Sequence, residues 1–341
     1  MLMKTKLHHG LIVFLFCATF STPLSTVFAQ GSLTPPGAPA PTMKSLSQIE
    51  PRTPISSLPF TITASGSYYL STNLYAATGN GITISNNNVT VDLNGFALMG
   101  GTSSANGIYL PASQTNVTVR NGSISGWLEG VAVVPNYSRN IVLERLAVSG
   151  CGQYGIYSLS PAWLRDCFCA SNQYTGIFVF GGGQITDCDA SYNGNNGITA
   201  ADGIVRNCSA ADNGHYGIYL NAGAVSGCSV QNNVNSGIYL LASGCAIIGN
   251  ICVGNNSSFS ASDAGIYVNG YNNRVEDNHV SGSGYAGISV TNTVNGNIIV
   301  KNSVSGNAAN DYLTPGNQIV GPLITTYGTI TNSNPWANFS F

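Results

Sequence analysis

Apolar and polar residues alternate along this chain in short segments that recur every 20 to 28 residues. One segment has the phrase Gly-Ile, then an aromatic or polar residue, then another apolar or small residue. Its copies begin at Gly107, Gly155, Gly176, Gly197, Gly217, Gly237, Gly265 and Gly287, with weaker copies at Gly81 and Gly130. A second segment, such as Leu164 to Cys169, shows the same alternation. A period of two predicts β-strands with one buried face.

The two segments always return in the same order, which favours parallel strands stacked one coil per repeat over hairpins. The sequence therefore predicts an all-β fold, a single-stranded parallel β-helix of about eleven coils over residues 81–307. Exposed coil ends would template aggregation, so we expect caps at residues 46–80 and 308–341.

The first residues have the pattern of a secretory signal. Lys4 and Lys6 precede an apolar run from Leu11 to Phe20, and Ala29 ends a small-residue cleavage pattern. We predict a signal peptide over 1–29, a Pro-rich linker over 30–45, and a secreted, cell-surface or periplasmic protein. No integral membrane segment is expected after signal removal, because the apolar run is too short to span a bilayer.

Composition narrows the class of function. Only 7% of the residues are charged while 43% are hydrophobic, which excludes an intrinsically disordered chain. The chain has no basic stripe of the kind that binds nucleic acid, so we expect no nucleic-acid partner. The sequence leaves the oligomeric state open.

Asparagines and cysteines recur at fixed positions between the strands. Asn172, Asn193, Asn213 and Asn233 precede a Gly-Ile phrase by four residues, and Asn256 and Asn307 are expected to continue this series of turn residues. Cys167, Cys188, Cys208 and Cys228 share one repeat position. A ladder of buried thiols is favoured, with disulfides and a metal site as alternatives, although no CxxC-type metal spacing occurs.

The chain resembles the secreted right-handed parallel β-helix proteins of the pectate-lyase-like superfamily. The resemblance lies in Ser65-Gly-Ser-Tyr-Tyr-Leu70, Val89-Thr-Val-Asp-Leu-Asn-Gly-Phe96, Val117-Thr-Val-Arg-Asn-Gly122 and the Gly-Ile-Tyr phrases, and extends from about residue 50 to the C-terminus. It implies a right-handed coil. It specifies activity weakly, because this superfamily includes lyases, hydrolases, epimerases and members without known activity.

An outward stripe of aromatic residues is the first candidate site. The residues that should point outward from the Gly-Ile strands are Tyr109, Tyr157, Phe178, Tyr219, Tyr239 and Tyr267. Stacked at coil spacing, they would form a continuous ridge against which an extended sugar chain can lie. The alternative is that Tyr suits an exposed strand position and stacks on itself.

Scarce charged residues form the second candidate site, at the corner after the second segment. The candidate catalytic residues are Asp166, Asp187, Asp189, Arg165, Arg206 and His215. Lyases of the resembling superfamily hold Ca²⁺ with clustered Asp and use Arg or Lys as base, so Ca²⁺ is the cofactor that the resemblance implies. Paired carboxylates would instead suit glycoside hydrolysis. We favour a solvated bend where opposite charges pair between coils.

We therefore predict an exported β-helix that binds, and in an enzymatic version processes, an extended polysaccharide along its side. The first alternative is a polysaccharide lyase or glycoside hydrolase that uses the Asp166, Asp187 and Arg206 corner. It is weakened because the Asp-Pro-His-Asp, Gly-His-Gly and Arg-x-Pro-x-x-Arg motifs of active families are missing. The second alternative is a structural or adhesive surface rod without catalysis.

Overall fold

Short strands follow one another from Thr53 to Ser340 in the computed structural model of the protein. The structure describes residues 49–134, 137–291 and 293–341, so the predicted signal peptide and Pro-rich linker lie outside the described residues. No helix long and apolar enough to cross a membrane occurs in these described ranges.

The strands of the first coils are β1 Thr53–Ile55, β2 Phe60–Ile62, β3 Gly66–Leu70, β4 Leu74–Gly79, β5 Ile82–Ile84, β6 Val89–Asp92, β7 Ala97–Ser104, β8 Asn106–Leu110, β9 Thr115–Ser125, β10 Glu129–Val133 and β11 Arg139–Ser149. The central coils hold β12 Ile156–Ser158, β13 Ala162–Arg165, β14 Phe168–Ala170, β15 Ile177–Val179, β16 Gln184–Thr186, β17 Ile198–Ala200, β18 Gly203–Arg206, β19 Ser209–Ala211, β20 Ile218–Leu220, β21 Gly223–Ser226, β22 Ser229–Gln231 and β23 Ile238–Leu240. The last coils hold β24 Ala246–Ile248, β25 Ile251–Val253, β26 Ala264–Val268, β27 Arg274–Glu276, β28 His279–Ser281, β29 Ala286–Val290, β30 Ile298–Val300, β31 Ser303–Ser305, β32 Asn310–Leu313, β33 Ile319–Val320, β34 Leu323–Ile324 and β35 Asn338–Ser340.

These strands form three parallel sheets that run along the molecule. Sheet A has 16 strands, with the main order β1-β3-β6-β9-β11-β13-β16-β18-β21-β24-β27-β30-β33. Sheet B has 12 strands, in the order β2-β5-β8-β10-β12-β15-β17-β20-β23-β26-β29-β32. Sheet C has the order β19-β22-β25-β28-β31-β35-β34. The prediction of an all-β parallel solenoid of about eleven turns is confirmed.

Columns of aliphatic side chains fill the interior between the sheets. The isoleucine of the Gly-Ile phrase occupies one column of sheet B, where Ile177 pairs with Ile198 and Ile218 follows in the next coil. These side chains have 0% exposure. Every coil thus buries its apolar face against its two neighbours, which is how a solenoid is stabilised.

An asparagine ladder runs beside sheet B and explains the glycine of the repeated phrase. The backbone N–H of Asn193 donates to Asn213 Oδ1 at 3.0 Å, and the side-chain amide donates to the same oxygen at 3.1 Å. A Cβ atom at Gly197 would lie 2.6 Å from Asn213 Nδ2, and one at Gly176 would lie 2.6 Å from Asn193 Nδ2. A side chain at this position would therefore collide with the ladder.

The predicted ladder members Asn172, Asn193, Asn213 and Asn233 follow each other through such bonds. The expectation for Asn256 is wrong: Asn255 Oδ1 accepts the next backbone bond from Asn233, at 3.1 Å. Asn307 Oδ1 accepts from the Ser283 N–H at 2.8 Å, as its predicted place in the series requires.

The cysteine ladder occupies the bend between sheets A and C. Asparagines occupy the same position in the coils after Cys228. The Cys228 N–H donates to Asn250 Oδ1 at 2.9 Å, and the Asn250 N–H donates to Asn278 Oδ1. All eight cysteines of the described residues are free and buried. The ladder of buried thiols is thus what the structure shows, and the thiols of Cys167, Cys208 and Cys228 donate to backbone carbonyls of the preceding coil.

The two ends differ from the regular coils. Residues 53–79, where we expected a cap, form β1 to β4, and β1 and β2 already pair with strands of sheets A and B. At the other end β35 pairs with β31, and Asn338 Oδ1 accepts from the Asn302 N–H at 2.9 Å. Asn338, in the predicted C-terminal cap, thus ends the series that begins with the cysteine ladder and continues through Asn250, Asn278 and Asn302.

Candidate functional site

The outward residues of sheet B form a row in register along the molecule, which we call the aromatic row. The row contains Thr83, Tyr109, Ala132, Tyr157, Phe178, Thr199, Tyr219, Tyr239, Tyr267 and Ser289. All six aromatic residues predicted from the sequence lie in it. The row is not the continuous ridge that we expected, because Ala132 and Thr199 interrupt it.

Aromatic residues before and after Thr199 form two clusters. In the first cluster, Tyr154, Tyr157, Tyr174 and Phe178, the ring centroids of Tyr154 and Tyr157 lie 4.7 Å apart and those of Tyr157 and Phe178 lie 5.2 Å apart. The second cluster consists of Tyr216, Tyr219, Tyr239 and Tyr267. Its Tyr219 and Tyr239 rings are stacked at 5.6 Å with 5° between their planes, and Tyr239 and Tyr267 are stacked at 5.1 Å.

A notch separates the two clusters because one coil carries polar residues where its neighbours carry rings. In four successive coils the residue before the repeated glycine lines this side as well: Tyr154, Thr175, Asn196 and Tyr216. The coil with Asn196 therefore has Asn196 and Thr199 at the positions that hold Tyr216 and Tyr219 in the next coil. The resulting cavity measures about 260 Å³.

Rings form the walls of the notch and hydrogen-bonded polar side chains line it. Its lining residues are Tyr154, Tyr174, Thr175, Phe178, Asn195, Asn196, Thr199, His215, Tyr216 and Tyr219. Asn196 Oδ1 accepts from the Tyr216 N–H at 3.2 Å, and Asn196 Nδ2 donates to Thr199 Oγ1 at 3.0 Å. The side chain of Asn196 is thereby fixed with its oxygen toward residues 215 and 216.

This orientation determines the tautomer of His215. Its Nδ1 lies 3.0 Å from Asn196 Oδ1, and an amide oxygen can only accept, so Nδ1 carries the proton. Burial lowers the pKa of His215, so the ring is neutral at neutral pH and Nε2 is a hydrogen-bond acceptor. Burial also raises the pKa of Tyr216, so its hydroxyl keeps its proton and can donate.

Two acidic residues lie close to the aromatic clusters. Glu129 precedes Gly130 in β10 and is half-buried, and burial raises its pKa. Its charge would act on Tyr154 and Tyr157, whose pKa values are raised mainly by burial. Asp263 is buried and accepts from the Ser236 hydroxyl at 2.7 Å. The aromatic side of the molecule is thus acidic as well as apolar.

Sequence reasoning missed Glu129, Asn196 and Thr199. The signal that would have found Glu129 and Asn196 is their place directly before a repeated glycine, which Tyr154 and Tyr216 share. Thr199 was hidden because its phrase, Gly-Ile-Thr-Ala, looks like an ordinary copy of the repeat. Its importance comes from the size of the side chains in the coils on either side.

The charged bend between sheets A and C contains most of the predicted catalytic set. Arg165 donates to Glu144 at 2.5 Å and lies 3.7 Å from Asp166. Arg206 lies one coil beyond Thr186 in the same register as Arg165. Glu144 also pairs with Arg145 at 2.7 Å. These distances fit the favoured interpretation, in which opposite charges pair between coils.

Backbone geometry accounts for the aspartates of this bend. Asp166 and Asp187 have φ of +55° and +54°, and the equivalent Asn207 has +52°. Asp and Asn tolerate this left-handed conformation better than most other residues with side chains, so the turn by itself accounts for Asp166 and Asp187. Asn207 Nδ2 also donates to Asp187 Oδ1 at 3.3 Å.

The other predicted members do not join one site. Asp189 forms single β-bridges with Phe168 and Ser209 of the neighbouring coils. Its buried Oδ1 has no hydrogen-bond partner among the described residues. His215 lines the notch beside sheet B, which is a different side of the coil from the charged bend. No group of three or more His, Cys, Asp or Glu side chains that could hold a metal ion occurs within residues 49–134, 137–291 and 293–341.

Comparisons with known proteins agree with this architecture. The family model described as "Right handed beta helix region" matches residues 106–251. Among curated proteins, none matches the sequence. The structure is similar to the A-module of mannuronan C-5 epimerase AlgE6 from Azotobacter vinelandii, with a TM-score of 0.59 and 16% identity over 81% of this chain and 90% of that chain.

The A-module of AlgE4 from the same organism gives a TM-score of 0.49 and 14% identity over 74% of this chain and 90% of that chain. At such identities the likeness concerns the fold, and it includes the handedness that the sequence resemblance implied. The chain has the right-handed parallel β-helix fold.

Proposed function

We propose that this protein binds an extended polysaccharide along the aromatic row, with the notch at Thr199 as the central subsite. The observation that carries the proposal is the arrangement of two partly exposed ring clusters, in register, on either side of a polar cavity. From Tyr157 to Tyr267 the row crosses five inter-strand steps, about 24 Å at ~4.8 Å each. That length suits a chain of several sugars rather than a single one.

The chemistry of the row matches a sugar polymer. The partly exposed rings present apolar surface to the C–H groups of sugars, and the Tyr hydroxyls can form hydrogen bonds with sugar hydroxyls. In the notch, His215 Nε2 supplies an acceptor and the Tyr216 hydroxyl a donor. A largely apolar site with a few placed polar groups is the usual composition of a small-molecule subsite.

The fold does not require aromatic residues at these positions. Ala132, Thr199 and Ser289 occupy the same register in neighbouring coils and leave the strand pairing intact. Clustered rings at only some coils, with a gap between them, fit ligand binding better than β-propensity alone. A protein of the same fold is named as a mannuronan epimerase, which also supports a carbohydrate ligand.

Export would bring the protein to such a ligand. The predicted signal peptide over residues 1–29 implies that the protein acts outside the cytoplasm, where extended polysaccharides occur. Processing of the polymer at the charged bend is the enzymatic alternative. The geometry of that bend is accounted for by left-handed turns and ion pairs, so the proposal is for binding.

The test is to mix the mature protein with a panel of soluble plant, algal and microbial polysaccharides and follow both by size-exclusion chromatography. We expect the protein to co-elute with at least one polymer whose size does not change. Tyr239→Ala should weaken co-elution, while Trp163→Ala, which removes a 54% exposed ring from sheet A, should not. A shortened polymer would establish the enzymatic alternative, and a protein that elutes alone with every polymer would contradict binding.

A further inference from the structure

The cations of the protein are confined to one side of the coil. Every Lys and Arg of the described residues lies in a strand of sheet A or directly beside one: Arg52, Arg120, Arg139, Arg145, Arg165, Arg206, Arg274 and Lys301. Several of them are engaged with carboxylates, as Arg120 is with Asp92 at 3.1 Å and Lys301 with Glu276 at 2.8 Å. The strands of sheet B contain neither Lys nor Arg within the described residues.

The charges that do occur along sheet B are negative. Glu129 opens β10, Asp263 directly precedes β26 and Asp311 lies in β32. None of these three carboxylates belongs to an ion pair formed by the described residues. Asp263 is held by Asn235 and Ser236, which are neutral donors. The aromatic row therefore has an uncompensated negative field.

The residues that line the notch do not offset the negative charge along sheet B. Its only titratable base among the described lining residues is His215, which is neutral at neutral pH because burial lowers its pKa. The groups that it offers to a ligand are a neutral imidazole nitrogen, hydroxyls and amides. All of them suit hydroxyl groups, and none of them compensates a carboxylate.

We infer that the polysaccharide of the aromatic row is uncharged, and that the row rejects uronate polymers. The inference rests on the proposed function and names the ligand class of the same site. A uronate polymer has one carboxylate on every sugar, and several would lie within one Debye length, about 8 Å, of Glu129 or Asp263. Repulsion between like charges across such an interface discriminates against the wrong partner.

The specificity differs from that of the structurally similar mannuronan epimerase, whose named substrate is a uronate polymer. The difference follows from where this chain places its cations. Sheet A and its bend carry all the cations of the described residues, and they lie away from the rings that would hold the sugar. Fold and ligand class are therefore separable here, because one depends on the core columns and the other on surface charge.

The experiment compares uncharged polymers, such as xyloglucan, galactomannan and mixed-linkage β-glucan, with alginate and polygalacturonate in affinity electrophoresis. We expect at least one uncharged polymer to retard the protein and both uronate polymers to leave its mobility unchanged. Retardation should change less than about twofold between 50 and 500 mM NaCl, because neutral contacts are not screened. Chitosan, a cationic polymer, is included, and its binding in preference to the uncharged polymers would overturn the inference.

Charge variants at Glu129 sharpen the result. Glu129→Lys should introduce measurable binding to alginate, whereas Glu129→Gln, the matched neutral variant, should not, because it supplies no positive charge. Wild-type binding to alginate that is lost with Tyr219→Ala would overturn the inference and leave the proposed function standing. Binding to no polymer of any class would contradict the proposed function, and the inference with it.

Discussion

The aromatic row and the charged bend are both series of side chains stacked in register, yet the fold explains only one of them. At the bend, Asp166 and Asp187 occupy left-handed positions and Arg165 pairs with Glu144, so turn geometry and charge pairing account for the residues. In the row, Tyr239 stacks between Tyr219 and Tyr267, where the strand would accept Thr or Ser as readily. Residues that the backbone does not require are the better evidence for function.

The comparison also separates stability from binding. Because the bend contributes to coil-to-coil contacts, changes there should alter the free energy of unfolding and leave ligand affinity intact. Changes in the aromatic row should lower ligand affinity and leave the free energy of unfolding nearly unchanged. The rings of the row are partly exposed, and only the isoleucines beside them fill the core. Each prediction below changes one region and reads both properties.

The largest effect should come from replacing Tyr219 and Tyr239 together by Ala. Removal of apolar contact of this size costs about 1–2 kcal/mol per ring, so affinity for the bound polymer should fall by about 100-fold. Isothermal titration or affinity electrophoresis measures the loss, and the urea midpoint should change little. Unchanged affinity in a folded double variant would remove the aromatic row as the binding site.

Glu144→Ala should destabilise the protein by about 1 kcal/mol while affinity stays the same. Glu144 is 7% exposed and pairs with Arg145 and Arg165, but both arginines are well exposed, which limits the cost of leaving them unpaired. Urea unfolding monitored by circular dichroism gives the change, with Arg139→Ala as a surface control. A folded Glu144→Ala variant that no longer binds polymer would place the site at the bend.

Asp187→Gly should leave stability within about 0.5 kcal/mol, because Gly227 and Gly249 hold the same bend position with φ of +64° and +66°. Asp187→Val should cost about 1 kcal/mol or more, since a β-branched residue is strained there. Both variants should bind polymer normally. Loss of a polymer-cleaving activity in Asp187→Gly at unchanged stability would instead support the enzymatic alternative.

The smallest effect should come from Glu276, at the C-terminal end of the charged bend, which makes the stability of the protein depend on pH in the acid range. Arg274 and Lys301 lower the pKa of Glu276 from 4.5 to about 2. Since the folded value is the lower one, this stabilisation is complete above pH 4.5 and is lost as pH falls toward 2. Glu276→Gln should flatten the fall of the urea midpoint over that range. An equally steep fall in the variant would show that other carboxylates cause it.

The sequence was sufficient for the coil and for the register of the rings. Gly-Ile at a regular period places Ile198 and Ile218 in one column, and in-register stacking then fixes where Tyr219 and Tyr239 must point. The asparagine series failed at Asn256 because Asn250 holds the cysteine position in that coil, and the five-residue offset counted from it ends at Asn255.

The notch could not be predicted for a different reason. It depends on Asn196 and Thr199 being small next to Tyr216 and Phe178, which is a property of three coils together. The sequence groups His215, in the turn after Asn213, with the charged corner, whereas the structure puts that turn on the side of sheet B. To assign a residue to one side of a solenoid, the position of its turn relative to all three sheets must be known.

A crystal structure of the mature protein with an oligosaccharide cut from the polymer that it binds tests the central claim most directly. We predict sugar rings in contact with Tyr157 and Phe178, continuing across the notch beside His215, and again in contact with Tyr219 and Tyr239. Sugar density along the bend beside Arg165 and Asp187, with the aromatic row empty, would contradict the account.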